Sequence, residues 1–274
     1  MTARAGIGQF IAWNGGCLFI GHHDRAIGEH AHQAIQLVMA CEGTHRVRAD
    51  ESQPWHSYSI AAIPTRQPHG IDVTDADYGA VILIEPETRE GRAIAQRFLA
   101  HGIAEVGDDE TGAIVRAMFD RWLEGRRDDT ASEARRLVSH VAAGVEPTTV
   151  TDPRILSAIA YINERLSYPI TLHEVASHAC LSPSRFRHLF AEQVGMGLRP
   201  YMLWRRFMLT WDLLMRGKSL SDAAHAAGFA DSAHLSRTSK RAFGFAPSGI
   251  QVSSARPDPG KLLARAIADR APLR

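Results

Sequence analysis

Two stretches roughly fifty residues apart, 170–195 and 219–244, carry the same local design, which limits the chain to folds containing a repeated pair of short helices. In the first, ITLHEVASHACLSPSRFRHLFAEQVG, Thr171 is placed to cap a helix and Glu174 completes a capping box. Leu172, Val175 and Ala176 form its apolar side. The chain turns at Cys180-Leu181, and Ser182-Pro183, a cap residue followed by proline at the first helical position, starts a second helix. Phe186, Leu189 and Phe190 are the apolar side of that helix, so Ser184, Arg185, Arg187 and His188 face outward. In the second stretch, SLSDAAHAAGFADSAHLSRTSKRAFG, Ser219 or Ser221 caps, and Ala223, Ala224 and Ala227 allow close packing. Gly228 makes the turn and Asp231 caps the next helix. There Leu235 and Phe243 are apolar, while Ser232, His234, Ser236, Arg237 and Lys240 are free to face outward. Residues 199–216, between the two, read as one long apolar and basic helix.

Polar and basic side chains near the start of a helix that follows a tight turn suit insertion into the major groove of DNA. The alternative is a helical bundle whose arginines form a solvated face. The net charge of +1 conceals an asymmetry: residues 1–151 hold 14 Lys/Arg against 21 Asp/Glu, net −7, and residues 152–274 hold 17 against 9, net +8. The helical part is therefore the one suited to a polyanion.

Gly, Pro and Thr cluster at 144–153, between two strongly helical patterns. The expected domains are residues 1–145, a linker at 146–152, a helical domain at 153–255 and a tail at 256–274. Before the linker, CLFIG, AIQLVMA, HRVRA, YSIAAIP and YGAVILIE are short apolar runs separated by turn residues, the pattern of a β-sandwich or barrel. Two amphipathic helices follow within 109–143, and 153–250 reads as about seven short helices. The tail ends in a short amphipathic stretch, KLLARAIADR. No apolar run approaches the ~18 residues of a membrane span, and the first residues lack the pattern of a secretory signal. The expected compartment is the cytoplasm, with no membrane association. Cys17, Cys41 and Cys180 lie far apart and are expected to be buried small apolar residues. Neither GxSxG, HExxH nor a phosphate-cradling glycine loop occurs, so no enzyme is expected.

The helical part resembles the AraC/XylS family of bacterial transcription regulators. The resemblance runs through Arg206, Leu213, Leu214, the AAxxxGF element (Ala223, Ala224, Gly228, Phe229), Leu235, Lys240, Phe243, Gly244 and Pro247. Ser239, Phe207 and Thr210 depart from it, standing where an aromatic, Leu and Ala are usual. The resemblance implies an α+β multidomain protein, with an N-terminal cupin-like β-barrel and two following helices, then an all-α domain with two helix-turn-helix units. It implies double-stranded DNA as partner, with Ser184, Arg187, His188, Ser236 and Arg237 at contacting positions. It also implies a homodimer formed through the helices at 109–143, a small-molecule or metal effector, and contact with RNA polymerase.

GEHAHQAIQLVMACEG, residues 28–43, resembles the first cupin motif, with His30 and His32 followed by Gln36 where metal-binding cupins usually have Glu; IPTRQPHG, residues 63–70, resembles the second, with His69. On a strand, positions 30 and 32 share a face. Three histidines converging on a cavity suit zinc, nickel or iron. The plainer reading is that they hydrogen-bond within the barrel or to an organic effector lodged beside Gln36. A metal-dependent cupin enzyme fused to a DNA-binding domain is the rival class for this half.

Overall fold

A computed structural model describes residues 6–23, 25–41, 44–147, 149–247 and 250–252. The tail stretch KLLARAIADR lies outside the described residues.

The first part of the chain forms two sheets. The larger contains β1 (Gly6–Trp13), β2 (Gly16–His23), β4 (Ile35–Cys41), β7 (Ile60–Ile63), β9 (Tyr78–Ile84), β10 (Ala104–Glu105) and β11 (Ile250–Val252), in the order β10-β7-β4-β9-β2-β1-β11. The smaller runs β3 (Ile27–His30), β8 (His69–Asp72), β5 (His45–Arg48), β6 (His56–Tyr58). Val38, Ala61 and Ile63 of the large sheet pack with Val47 and Ile71 of the small one, so the expected barrel takes the form of two facing sheets. β11 comes from beyond the last helix and pairs parallel to β1, with Gly6 opposite Ile250.

The large sheet explains why its strands read as continuous apolar runs. Along β4, Ile35, Leu37 and Met39 join a core with the helices that follow, whereas Val38 faces the small sheet. Along β9, Ala80, Ile82 and Ile84 take the helical side, and Leu83 the opposite one. A strand covered on both faces loses the apolar/polar alternation of a half-exposed one. The covering helices are α1 (Arg89–Phe98), α2 (Asp109–Leu123) and α3 (Arg127–Val141). The last two were expected. α1 was not, although Ala93, Ile94 and Phe98 mark an apolar face that packs on the core; it starts where the Thr88 hydroxyl accepts from the Gly91 N–H at 3.1 Å.

The second part comprises α4 (Pro153–Glu164), α5 (Leu172–His178), α6 (Pro183–Val194), α7 (Leu198–Met215), α8 (Leu220–Ala226) and α9 (Ser232–Phe243), six helices among the described residues instead of about seven. α7 is its spine. At one end Leu198 and Tyr201 enter a core with α4, α5 and α6. Further along, Trp204, Phe207 and Trp211 recur at three- and four-residue spacing and enter a core with α8 and α9. That second core also contains Phe10, Cys17, Ala34 and Leu83 of the β-rich part. The helical unit thus covers the stretch of the large sheet that the small sheet leaves bare.

Candidate functional site

The two repeated units match down to their hydrogen bonds. Thr171 and Glu174 form the expected capping box, and Ser219, rather than Ser221, caps α8. Each first helix ends with a pair of tight bonds: Leu181 N–H to Ala176 O and Cys180 N–H to Ser177 O in one, Phe229 N–H to Ala224 O and Gly228 N–H to His225 O in the other. The turn residue is left-handed in both, φ 53° at Cys180 and 78° at Gly228. Cys180 occupies an exposed turn position, which corrects the expectation of a buried small apolar residue; Cys17 is buried and Cys41 is half-buried. Only the second turn demands glycine for space, because a Cβ at Gly228 would lie 2.6 Å from the Leu166 carbonyl oxygen. Ser182 and Asp231 then cap the second helices, accepting from the N–H groups of Arg185 and His234.

On α6, Ser184, Arg185, Arg187 and His188 are all exposed, and on α9 so are His234, Arg237 and Lys240. Ser232 and Ser236 are half-buried. The His234 ring lies 5.6 Å from Phe229, and its Nδ1 accepts from the Ala230 N–H at 3.4 Å, so it also fastens the start of α9. Arg206 is structural: it donates to the carbonyls of Leu166 and Tyr168, holding the end of α4. α7, 18 residues long, separates the two units by about 27 Å at 1.5 Å per residue. Ser239 is fully buried and donates to the Phe245 carbonyl at 3.0 Å, while the Phe245 ring lies 6.1 Å from Trp211, within the same core. Phe207 packs 4.9 Å from Phe243, and Thr210 returns its hydroxyl to the Arg206 carbonyl.

His30, His32 and His69 come together, although His32 lies in the loop after β3 and not on a strand face shared with His30. They are buried, and each contributes one potential ligand atom to a cluster within 4.8 Å. The Nδ1–H groups of His30 and His69 donate to the carbonyls of Gly28 (2.9 Å) and Gln67 (2.8 Å), which leaves the Nε2 lone pairs available. Gln36 does not stand as a fourth member: its Oε1 accepts from His32 Nε2–H at 2.6 Å. His32 Nδ1 and His69 Nε2 are buried without a hydrogen-bond partner among the described residues. Burial pushes all three imidazoles down, His32 to about 4 and His69 well below its ordinary value, so each is a neutral base at neutral pH. Imidazoles oriented by carbonyl acceptors and kept unprotonated fit a borderline metal ion. An ion bound at ~2.1 Å from each nitrogen would draw the rings together. The cluster borders the helical unit: the His32 ring lies 5.8 Å from Phe243 and 6.4 Å from Trp204. A Cβ at Gly244 would come within 2.6 Å of Ile27 Cγ2 and 3.3 Å of His30 Nδ1.

A family model described as a helix-turn-helix domain matches residues 175–251. Over 103 residues the chain is 32% identical to the arabinose operon regulatory protein of Escherichia coli, 37% of this chain against 35% of that one. Over 92 residues it is 34% identical to "Probable transcriptional regulator LumQ" of Photobacterium leiognathi, 33% of this chain against 37% of that one. The chain carries an AraC-type helix-turn-helix domain. It spans little more than a third of the length of these curated relatives. The likeness in fold is wider: the crystal structure of ToxT from Vibrio cholerae O395 aligns with a TM-score of 0.54 at 12% identity, covering 85% of this chain and 95% of that one. Among the described residues no helix is long and apolar enough to cross a membrane.

The AraC-type domain is tied to the sheets by a charged cluster that sequence reasoning missed. Arg205 of α7 pairs with Glu85, just past β9, and also donates to Asn163 of α4 at 3.0 Å. Arg92 of α1 donates to the Gln193 carbonyl at the end of α6. Glu87 lies between them, with a buried Oε2 that has no hydrogen-bond partner among the described residues. Burial first, and the neighbouring Glu85 second, push its carboxyl up to about 7, against the pull of Arg205 and Arg92. Between pH 4.5 and 7 the folded chain therefore holds a proton that the unfolded chain has released, and stability falls as pH rises. Urea midpoints at pH 5 and pH 8 are expected to show roughly 1–3 kcal/mol less stability at the higher pH from this group. The Glu87→Gln variant should lose that part of the slope; an unchanged slope would remove Glu87 as its source.

Proposed function

We propose that this chain is a sequence-specific transcription regulator that reads DNA through α6 and α9 and answers to a small molecule or metal held by the β-rich unit. The observation that carries the reading is the pair of units capped at corresponding positions, spaced by α7, with Arg185, Arg187, Arg237 and Lys240 all exposed. Two such helices would reach successive major-groove segments roughly 34 Å apart on one face of the duplex. Homodimerisation through α2 and α3 and contact with RNA polymerase belong to the same proposal, as do residues 153–255 as the DNA-binding domain.

Selection from a random duplex library by the full chain, with chelator or zinc in parallel, is expected to enrich two short blocks about one helical turn apart. Absence of enrichment in every condition, both with the full chain and with residues 150–274, would overturn the reading. Within an enriched site, Arg237→Ala should cost about 1–3 kcal/mol and relax one base position if the guanidinium reads a guanine. Equal binding by the variant would remove Arg237 from the interface.

The histidine cluster favours a metal as one effector. His30, His32 and His69 would hold zinc, nickel or iron, with Gln36 orienting His32, and the ion would supply a positive charge that cross-links β3, its following loop and β8. Calorimetric titration with zinc is expected to show one site per chain, with affinity lowered at least ~10-fold in His69→Ala. Zinc binding unaffected by that change would rule the cluster out. A metal-dependent enzyme is the lesser reading, because among the described residues the ligand cluster holds histidines alone and brings no acid or base to act on a substrate.

A further inference from the structure

After α9 the chain returns to the β-rich unit. The helix stops at Gly244, left-handed at φ 76°, and that residue is pressed against the small sheet: a Cβ there would lie 2.6 Å from Ile27 Cγ2 and 3.2 Å from the Gly28 carbonyl oxygen. Phe245 then enters the aromatic core of the seam, 6.1 Å from Trp211 and 6.2 Å from Phe243, with its carbonyl held by the Ser239 hydroxyl. By Ile250 the backbone has reached the large sheet, where β11 pairs parallel to β1 with Ile7 opposite Gln251 and Gly8 opposite Val252. Without β11, β1 would be the outermost strand of that sheet, with a row of backbone groups left to find other partners. The segment after α9 thus ties the last helix of one unit to both sheets of the other.

Three residue pairs make a short ladder, and a short pairing at a sheet edge opens far more readily than a core does. The two bodies that it joins are opposite in charge, net −7 for residues 1–151 and +8 for residues 152–274. While they are docked, the acidic body cancels part of the field that draws a polyanion to α6 and α9. Once they separate, the basic domain presents its field alone. We propose that the segment from Gly244 to Val252 is an autoinhibitory strap: with β11 on β1 the AraC-type domain is held against the sheets and binds DNA weakly, and with β11 released it binds DNA tightly. The affinity of the whole chain is then set by the fraction of molecules whose strap is open. This rests on the reading of the chain as a DNA-binding regulator.

Neighbouring strands lie about 4.8 Å apart, inside the ~4.4–6.8 Å that a disulfide spans between Cα atoms, so Ile7→Cys/Gln251→Cys can lock the strap. The exposed Cys180 is replaced by serine in the same chain. The probe is a random-sequence duplex of about 30 base pairs, roughly three helical turns, followed by fluorescence anisotropy with oxidised and reduced protein. The oxidised chain is expected to bind at least ~10-fold more weakly than the reduced one, with the gap shrinking as salt rises from about 50 to 300 mM. In scanning calorimetry its two units should separate at a higher temperature. Gln251→Pro, which removes an N–H from the middle of β11, should bind the duplex at least ~10-fold more tightly than the parent chain. Failure of the disulfide to form would overturn the pairing, and equal duplex binding by the oxidised, reduced and Gln251→Pro chains would overturn the autoinhibition. The two readings fail separately. Tight duplex binding that ignores the strap refutes the strap alone, whereas no binding by any of the three, with the seam transition still raised by oxidation, refutes the DNA-binding reading and leaves the strap's hold on the seam standing.

Discussion

Replacing Arg205 by Met is expected to lower the stability of the full chain by roughly 3–5 kcal/mol, the usual cost of stranding a buried charge. The side chain of Glu85 is 9% exposed and that of Arg205 23%, so solvent cannot take over when the guanidinium is removed. Asn163 loses its donor in the same step, and Glu87, already protonated up to about pH 7, loses a nearby positive charge. The loss belongs to the carboxylate left behind, and not to the pair as such, because a buried ion pair is often no better than a well-packed apolar pair. The double variant Arg205→Met/Glu85→Leu should therefore recover most of the stability. Urea unfolding of the three proteins measures both effects. A single variant within about 1 kcal/mol of the parent would mean that the domains do not dock in solution through this pair.

Trp211→Ala is expected to cost about 3–5 kcal/mol, the range for truncating a large buried aromatic. The ring is 1% exposed and lies 5.2 Å from Phe19 in an edge-on contact, 6.0 Å from Phe10 and 6.1 Å from Phe245. Those partners lie on both sides of the seam, β1 and β2 on one and the segment after α9 on the other. No single element can collapse into the space, so the cavity persists and its lining loses contact. Trp211→Phe, which keeps an aromatic ring, should recover a large share. The variant is also expected to melt in two steps, the β-rich unit separating from the AraC-type domain, which scanning calorimetry would resolve. One cooperative transition at the parent temperature would show that the seam contributes nothing.

The repeated units were legible because each is decided locally. Thr171, Ser182, Ser219 and Asp231 cap within three residues of themselves, and Gly228 acts through its own φ, so neither needs the rest of the fold to be known. Apolar spacing likewise placed α7 within a residue at each end. The pairing of His30, His32 and His69 was readable for a related reason: two of them share a strand-end segment, and the third follows a proline-rich turn with a recognisable pattern. What sequence reasoning missed lies at long range. Glu85 and Arg205 are 120 positions apart, and nothing in the neighbourhood of either marks it as a partner. α1 went unread although its apolar residues share one face, and Cys180 looked like core because residue type says nothing of exposure at a turn.

By itself, the sequence determined the two capped helix pairs, the long helix between them, the apolar strands and the basic character of the helical half, since caps, turns and periodicity act over three or four residues. Only the tertiary structure decided that α7 turns its Trp204 and Trp211 face onto the open stretch of the large sheet. The same packing brings the histidine cluster against the end of α9 and lays β11 along β1. The physical reason is that burial has no direction along the chain: an apolar stripe must be covered, and which surface covers it depends on the shape and charge of elements a hundred or more residues away.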